Sequence, residues 1–329
     1  MTYVTLTNDW ILQKEVFEGL IAARLAKKFE WLDAIPKVSL DGAESVAWAV
    51  EEYTPDLDPM KRFPRRAAAG TEFPRITISR LRENQAALTR YGFEIAVSER
   101  YRRYKTQIDN LMRTIRRAAS WMGDWQNAKI IAALTDQNTG VQRLTSDMEF
   151  YKRTAVKWGT QNADPIQDLL LLQEDFEDTA SPGYVATDFY VSKKKFRQFL
   201  RALVAMDVDY DTRSALYGEP VASASSLYVP LLDATVHGMT AGIEDGAILV
   251  LDNSIAPATL YYDFNPEYGP APAFETEEGE TIQNTFGLHT NEYRDGAQRD
   301  LIKQIWLENV IAVKDGKGGL FVPNGEYGI

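Results

Sequence analysis

The longest regular pattern in the chain runs Ile108-Asp109-Asn110-Leu111-Met112-Arg113-Thr114-Ile115-Arg116-Arg117-Ala118-Ala119-Ser120-Trp121-Met122. At about 100° per residue, Ile108, Leu111, Met112, Ile115, Ala118, Ala119 and Met122 share one arc of a helix, while Asp109, Asn110, Arg113, Arg116, Arg117 and Asp124 share the other. Followed in both directions, the helix is expected from Glu99 to Leu134. At a 1.5 Å rise that is roughly 50 Å, about three times the usual length. Gln126 and Lys129 enter the apolar arc near its end, so the last turns are expected to bend or to leave the core. A stripe of about four turns is short for a coiled coil.

Upstream, Tyr91, Phe93, Ile95 and Val97 alternate with smaller or polar neighbours, the period of a half-buried strand. Before them, Trp48 to Ser79 carries Pro55, Pro59, Pro64 and Pro74 and switches from acidic (Glu51, Glu52, Asp56, Asp58) to basic (Lys61, Arg62, Arg65, Arg66). Such a segment is neither a compact helix nor a central strand. It is also longer than the roughly 12–15 residues above which structureless loops become uncommon. It begins near Val50 and ends in the alternating Ile76-Thr77-Ile78, which favours a long extended hairpin. Earlier still, Ile11, Phe17, Leu20, Ile21, Leu25 and Phe29 predict an amphipathic helix within Trp10 to Trp31, packed either on its own domain or on a neighbouring subunit.

Downstream, a helix is expected around Asp164 to Asp178, with Asp164 as cap and Pro165 in its first turn. Tyr184 to Val191 reads as a strand, and a second helix follows from Ser192 to about Ala205, with Ser192 as cap. Leu227 to Leu232, Ala247 to Leu251 and Ala258 to Phe264 are short β-type runs. Leu301, Ile305, Leu307, Ile311 and Val313 suggest a long terminal strand, with Asp315-Gly316-Lys317-Gly318-Gly319 as a hairpin turn into Leu320-Phe321-Val322. The whole reads as α+β, with strands gathered from distant parts of the chain.

Composition narrows the function. With 47 acidic against 36 basic side chains the formal net charge is -11, so the surface as a whole repels nucleic acid and anionic membrane. The chain has no cysteine, which removes disulfides, thiolate metal sites and cysteine nucleophiles together. No segment approaches the roughly 20 apolar residues of a bilayer span. The N-terminus lacks the pattern of a secretion signal, so a soluble chain made in a cytoplasm is expected. There are two histidines, His237 and His289, and no H-E-x-x-H spacing, serine elbow, phosphate loop or dinucleotide fingerprint. Asp207-Val208-Asp209-Tyr210-Asp211 matches the first oxygen positions of a calcium loop, but Thr212 stands where Gly is needed and Gly218 where the bidentate Glu belongs. Glu51-Glu52 and Glu277-Glu278 are adjacent pairs whose side chains point apart, poor acid/base partners. No catalytic residue, cofactor or metal is called for. Arg102, Arg103, Arg113, Arg116 and Arg117 could touch phosphates, against the plainer reading of a solvated face paired with acids on neighbouring elements.

The order of parts resembles the major capsid proteins of tailed bacteriophages and related archaeal viruses, the Hong Kong 97 fold shared with encapsulins. The phrase from Gly246-Ala247-Ile248-Leu249-Val250-Leu251 through Tyr261-Tyr262 looks like strands of their axial (A) domain, and Asp300 to Asp315 looks like their closing strand. The resemblance implies an N-terminal arm (1–48), an extended hairpin or E-loop (49–80) and a peripheral (P) domain with a spine helix (81–154). After these would come the A-domain (155–290) and C-terminal strands returning to the P-domain (291–329). It implies a non-enzymatic subunit that assembles as hexamers and pentamers into the icosahedral head of a double-stranded DNA virus. Its place would be the virion, after assembly in a host cytoplasm, without a membrane. Scaffolding, portal and decoration proteins and packaged DNA are the implied partners; if the sequence is the whole gene product, scaffolding is a separate protein. Lys61, Arg62, Arg65, Arg66, Glu51 and Glu52 would make contacts between subunits, and Arg113, Arg116 and Arg117 would face DNA. Lys61 is the sole hairpin candidate for the lysine–asparagine crosslink of some family members. The alternatives are an encapsulin-type shell around an enzyme cargo and, more remotely, an enzyme using acidic residues.

Overall fold

The computed structural model describes residues 14–31, 35–40, 42–51, 81–97, 105–145, 148–152, 158, 163–180, 183–205, 225–263, 273–275, 281–283, 287–294 and 301–323. Helix α1 (Lys14–Lys28) is followed by strands β1 (Lys37–Ser39), β2 (Ser45–Glu51), β3 (Leu81–Ala87) and β4 (Thr89–Val97). Helix α2 (Lys105–Leu134) and strand β5 (Gln142–Arg143) come next, then α3 (Pro165–Glu174), continued by a π-helical stretch over Asp175–Ala180. Strand β6 (Asp188–Ser192) leads into α4 (Lys193–Ala205). The remaining strands are β7 (Ser226–Val229), β8 (Ala234–Met239), β9 (Ile248–Leu251), β10 (Ala258–Tyr262), β11 (Ala273–Glu275), β12 (Thr281–Gln283), β13 (Leu288–Arg294), β14 (Leu301–Val313) and β15 (Gly319–Val322).

Strand β14 organises the first sheet. Its edges are taken by β4 on one side and, on the other, by β13 along 301–307 and then β10 along 309–313; β1 adds in parallel to β10. The handover is visible at Glu308, whose N–H donates to Gly287 O at 2.8 Å while its O accepts from Asp263 N at 3.2 Å, both on the same edge. Alternation then does what the sequence suggested. Leu301, Ile305, Leu307, Ile311 and Val313 join Phe17, Ile21 and Leu25 of α1 and Leu111, Ile115, Ala119 and Met122 of α2 in one core. Each of the larger of these side chains (Leu, Ile, Val, Phe, Met) taken from water contributes roughly 1.5–3 kcal/mol. Helix α1 therefore packs on its own domain, the first of the two readings.

The second sheet has the order β5-β15-β9-β6-β8-β7 and is apolar on both faces. Phe189, Val191, Val236, Ile248, Val250, Leu320 and Val322 pack under α3 and α4, with Phe176, Phe196, Phe199 and Leu203. Tyr190, Met239, Leu249 and Leu251 point the other way, onto Trp31 and the Ile131 and Leu134 end of α2. Gly238 is where α4 comes nearest: a Cβ there would lie 2.8 Å from Phe196 Cβ, so only glycine admits the helix.

Three expectations need correcting. The last turns of α2 do not leave the core, since Ile130 and Leu134 are fully buried. Its polar residues are bonded in place instead: Gln126 Nε2 donates to Asn309 Oδ1 at 3.2 Å and Asn127 Nδ2 to Lys28 O at 2.9 Å. Asp315–Gly319 is not a hairpin turn, because β14 and β15 belong to different sheets. Asp315 Oδ1 accepts from Lys317 N at 3.0 Å and caps a short 3-10 turn that carries the chain from one sheet to the other. Strand β8 went unread, its apolar run being broken by His237 and Gly238. The sheets gather strands from distant parts of the chain, β15 pairing with β5 and β9, and β14 with β4, β10 and β13.

Candidate interaction surfaces

The two ends of the segment expected as a long hairpin are paired with each other. Strands β2 and β3 pair antiparallel from Ser45 opposite Ala87 to Glu51 opposite Leu81, so the chain between residues 51 and 81 connects two rungs of one ladder. The root is fixed to the outer face of β14, where Val46, Tyr261, Val310 and Ala312 cluster with Leu40, Trp48, Ala86 and Leu88 around them. Trp48 Nε1 donates to Val313 O at 3.0 Å, occupying the edge of β14 that β4 has left free. Glu51 is the last rung; Glu52, Lys61, Arg62, Arg65 and Arg66 lie outside the described residues, as do the Asp207–Asp211 cluster and Glu277-Glu278.

A second surface is the outer side of α2. Arg113, Arg116 and Arg117 are exposed, and none has a carboxylate partner among the described residues. The structure adds two neighbours that were not picked out from sequence. Arg24 of α1 reaches across to donate from Nε to Ser120 Oγ at 2.9 Å, and Trp121, one turn beyond Arg117, is 64% exposed. Trp121 could have been found, since the arc that holds the arginines holds it too. Arg102 and Arg103 lie outside the described residues.

On the opposite side of α2, against the first sheet, sits an unusual cation. Lys129 Nζ donates to Thr89 Oγ1 at 3.0 Å, Asn309 O at 3.1 Å and Asn309 Oδ1 at 3.2 Å, and lies 4.4 Å from the ring centre of Tyr91. Its partners are neutral, and burial lowers its pKa to about 8.

A third surface is the exposed side of α4, where Lys193, Lys194, Arg197, Gln198 and Arg201 line an open cavity of about 400 Å³. Lys194 Nζ pairs with Asp245 Oδ2 at 2.7 Å, and Ser192 Oγ donates to Asp245 Oδ1 at 2.8 Å. These bonds, the one from Lys194 first, hold the Asp245 carboxyl below its usual range. Ser192 Oγ also caps α4, accepting from Lys195 N at 3.2 Å. The signal was in the sequence as the run Lys193-Lys194-Lys195-Phe196-Arg197.

Among the described residues chemistry does not converge elsewhere. His237 Nε2 meets Asp188 Oδ1 at 2.6 Å, but Thr187 Oγ1 donates to the other carboxylate oxygen at 2.7 Å, so the hydroxyl is not aimed at the imidazole. The ring stacks on Tyr190, which stacks on Trp31, tying the end of α1 to the second sheet. Burial holds the Tyr190 hydroxyl protonated well above the ordinary phenol range. His289 stacks on Trp306 and reaches Asp263 O at 3.2 Å. Among the described residues no group of three or more His, Asp or Glu could hold a metal ion, and no helix is long and apolar enough to cross a membrane.

No protein-family model matches the chain, and no curated protein matches it. Solved structures do. The virus-like particle from Pyrococcus furiosus aligns with a TM-score of 0.52 and 8% identity over 92% of this chain and 96% of that one. The capsid of a native GTA particle aligns with a TM-score of 0.51 and 13% identity over 90% of this chain and 89% of that one. At these identities the likeness is one of fold, and it runs through nearly the whole length of each partner: the chain has the α+β, Hong Kong 97-like fold of capsid subunits.

Proposed function

We propose that the chain is a structural shell subunit, a major capsid protein of the tailed-virus type that assembles as hexamers and pentamers around a double-stranded DNA genome and catalyses nothing. The observation that carries this reading is the end-to-end likeness in fold to two particle-forming proteins. The paired root of the hairpin supports it, because a subunit that binds several neighbours needs an extended arm fixed to a rigid body. In this reading Glu51, Glu52, Lys61, Arg62, Arg65 and Arg66 meet neighbouring subunits, and Arg113, Arg116 and Arg117 face the genome. Scaffolding, portal and decoration proteins are its further partners, assembly takes place in a host cytoplasm, and the finished place is the virion.

Electron microscopy and light scattering of the purified chain, alone and with candidate scaffold proteins, test it. Closed shells or rings are the expected outcome. Nucleic acid inside shells purified from the native source supports the virus, and enzyme cargo in its place supports the encapsulin-type compartment. A chain that stays monomeric or dimeric under every condition overturns the shell reading.

A further inference from the structure

One face of the second sheet carries two ridges of opposite charge, and neither finds its complement within the described chain. Helix α4, which packs on β8 and β6, presents Lys193, Arg197 and Arg201 four residues apart, a row with a cation about every 6 Å at 1.5 Å rise per residue. All three are exposed, and none has a carboxylate partner among the described residues; Asp245 is taken by Lys194. Like charges at this spacing repel, so the row weakens the isolated helix slightly unless something outside it supplies the opposite charge. The π-helical end of α3 packs instead on β15, two strands from β6 and three from β8, and together with the last residue of α3 it presents Glu174 and Asp178, also exposed and without a cationic partner among the described residues. The neighbouring acids are occupied. Glu177 Oε1 accepts from Gln173 Nε2 and Ala186 N, Asp175 accepts from Glu149 N and Phe150 N, and Asp168 accepts from Trp158 Nε1.

We propose that the α4 groove of one subunit receives the Glu174–Asp178 ridge of a second copy of this chain, a head-to-tail contact that repeats around a ring of subunits. Two complementary patches at different places on one molecule make a heterologous contact, and such contacts close into rings when the rotation allows. The occupant is argued from charge. The cations line an open cavity with no aromatic side chain, and the same domain supplies an exposed acidic ridge of matching sign. Lys194 with Asp245 shows that this helix already pairs with carboxylates at 2.7 Å. The contact rests on the shell reading and specifies one of its interfaces.

Charge reversal and its repair test the contact on the full chain, with circular dichroism to establish that each variant is folded. Arg197→Glu with Arg201→Glu, and separately Glu174→Lys with Asp178→Lys, are each expected to raise the protein concentration needed for ring or shell formation by about tenfold or more. All four changes together are expected to restore assembly toward the original concentration. Folded variants reversed on one side that assemble like the parent overturn the contact, and so does failure of the fourfold variant to recover. Shells that form normally with Arg197→Glu and Arg201→Glu but hold less nucleic acid overturn it in favour of a phosphate-binding groove. If the parent chain itself never assembles, the shell reading falls and takes this contact with it; if the parent assembles and the reversals have no effect, the contact alone falls.

Discussion

The two sheets are built from similar strands but treat water differently. Along 301–307 the first sheet has helices on one face and an open polar face on the other, where Glu94, Asn291, Tyr293 and Gln304 bond to one another at the surface. The second sheet is closed on both faces, by α3 and α4 on one side and by Trp31 and the end of α2 on the other. A sheet open on one face can shed a side chain to solvent, whereas one buried on both must fill every position to native density. The largest expected effect lies there. Phe189→Ala, at a fully buried position under α4, is expected to cost about 3–5 kcal/mol in urea denaturation, because lost transfer energy and a residual cavity add. A cost below about 1 kcal/mol would mean that the second sheet relaxes freely, and the contrast with the first would be lost.

The same difference governs what could be read in advance. Strands β4 and β14 alternate because one of their faces is wet, and their positions were legible to within a few residues. Strand β9, buried throughout, is a continuous apolar run and gives a strand by its shortness rather than by its period. Strands β3 and β8 were missed: Leu81-Arg82-Glu83-Asn84-Gln85-Ala86-Ala87 has no apolar alternation, because its order comes from pairing with β2, and β8 is interrupted where Gly238 admits α4. Strand partners were invisible for a simpler reason, since nothing local links β15 to β5 or β10 to β14. Of the candidate surfaces, the α2 arginines were legible because helix periodicity places them, and they stand exposed as expected. The basic row of α4 obeys the same periodicity; its meaning depended on finding, among the described residues, no carboxylate paired with Lys193, Arg197 or Arg201, which only packing shows.

Two lysines packed at the first sheet, Lys303 buried and Lys129 half-buried, show two ways of housing a cation there. Lys303, 2% exposed, meets Glu292 Oε2 at 2.7 Å and lies over the ring of Phe17. Lys129 has neutral oxygens in place of that carboxylate, and desolvation lowers its pKa to about 8. With an unfolded value near 10.4, the unfolded chain binds the extra proton between about pH 8 and pH 10.4, so this group costs stability in full below pH 8 and the cost fades as pH rises through that window. Lys129→Met is therefore expected to be more stable than the parent at pH 7, by about 1 kcal/mol once the lost hydrogen bonds are set against the relieved desolvation. The advantage should shrink toward pH 10. Denaturation curves of both proteins at pH 7, 8.5 and 10 measure it, and an advantage that stays flat or grows with pH contradicts the assignment of the cost to this amine.

The smallest effect is the most informative about the open face. Gln304 donates to Glu94 Oε1 and accepts from Asn291 Nδ2 at 3.2 Å, in a network exposed to solvent. Water replaces such bonds when they are cut, so Gln304→Ala in the isolated subunit is expected to change stability by less than about 0.5 kcal/mol. In an assembled particle the arithmetic differs if a neighbour covers this face, because the remaining Glu94 would then be buried with a bond missing, at about 1–3 kcal/mol. Measuring the same substitution by urea denaturation of the free subunit and by thermal disassembly of the particle separates the two cases. Equal and small effects leave the face wet in both states. A large effect confined to the particle marks it as a covered surface, and then the first sheet, like the second, is closed on both sides in its working form.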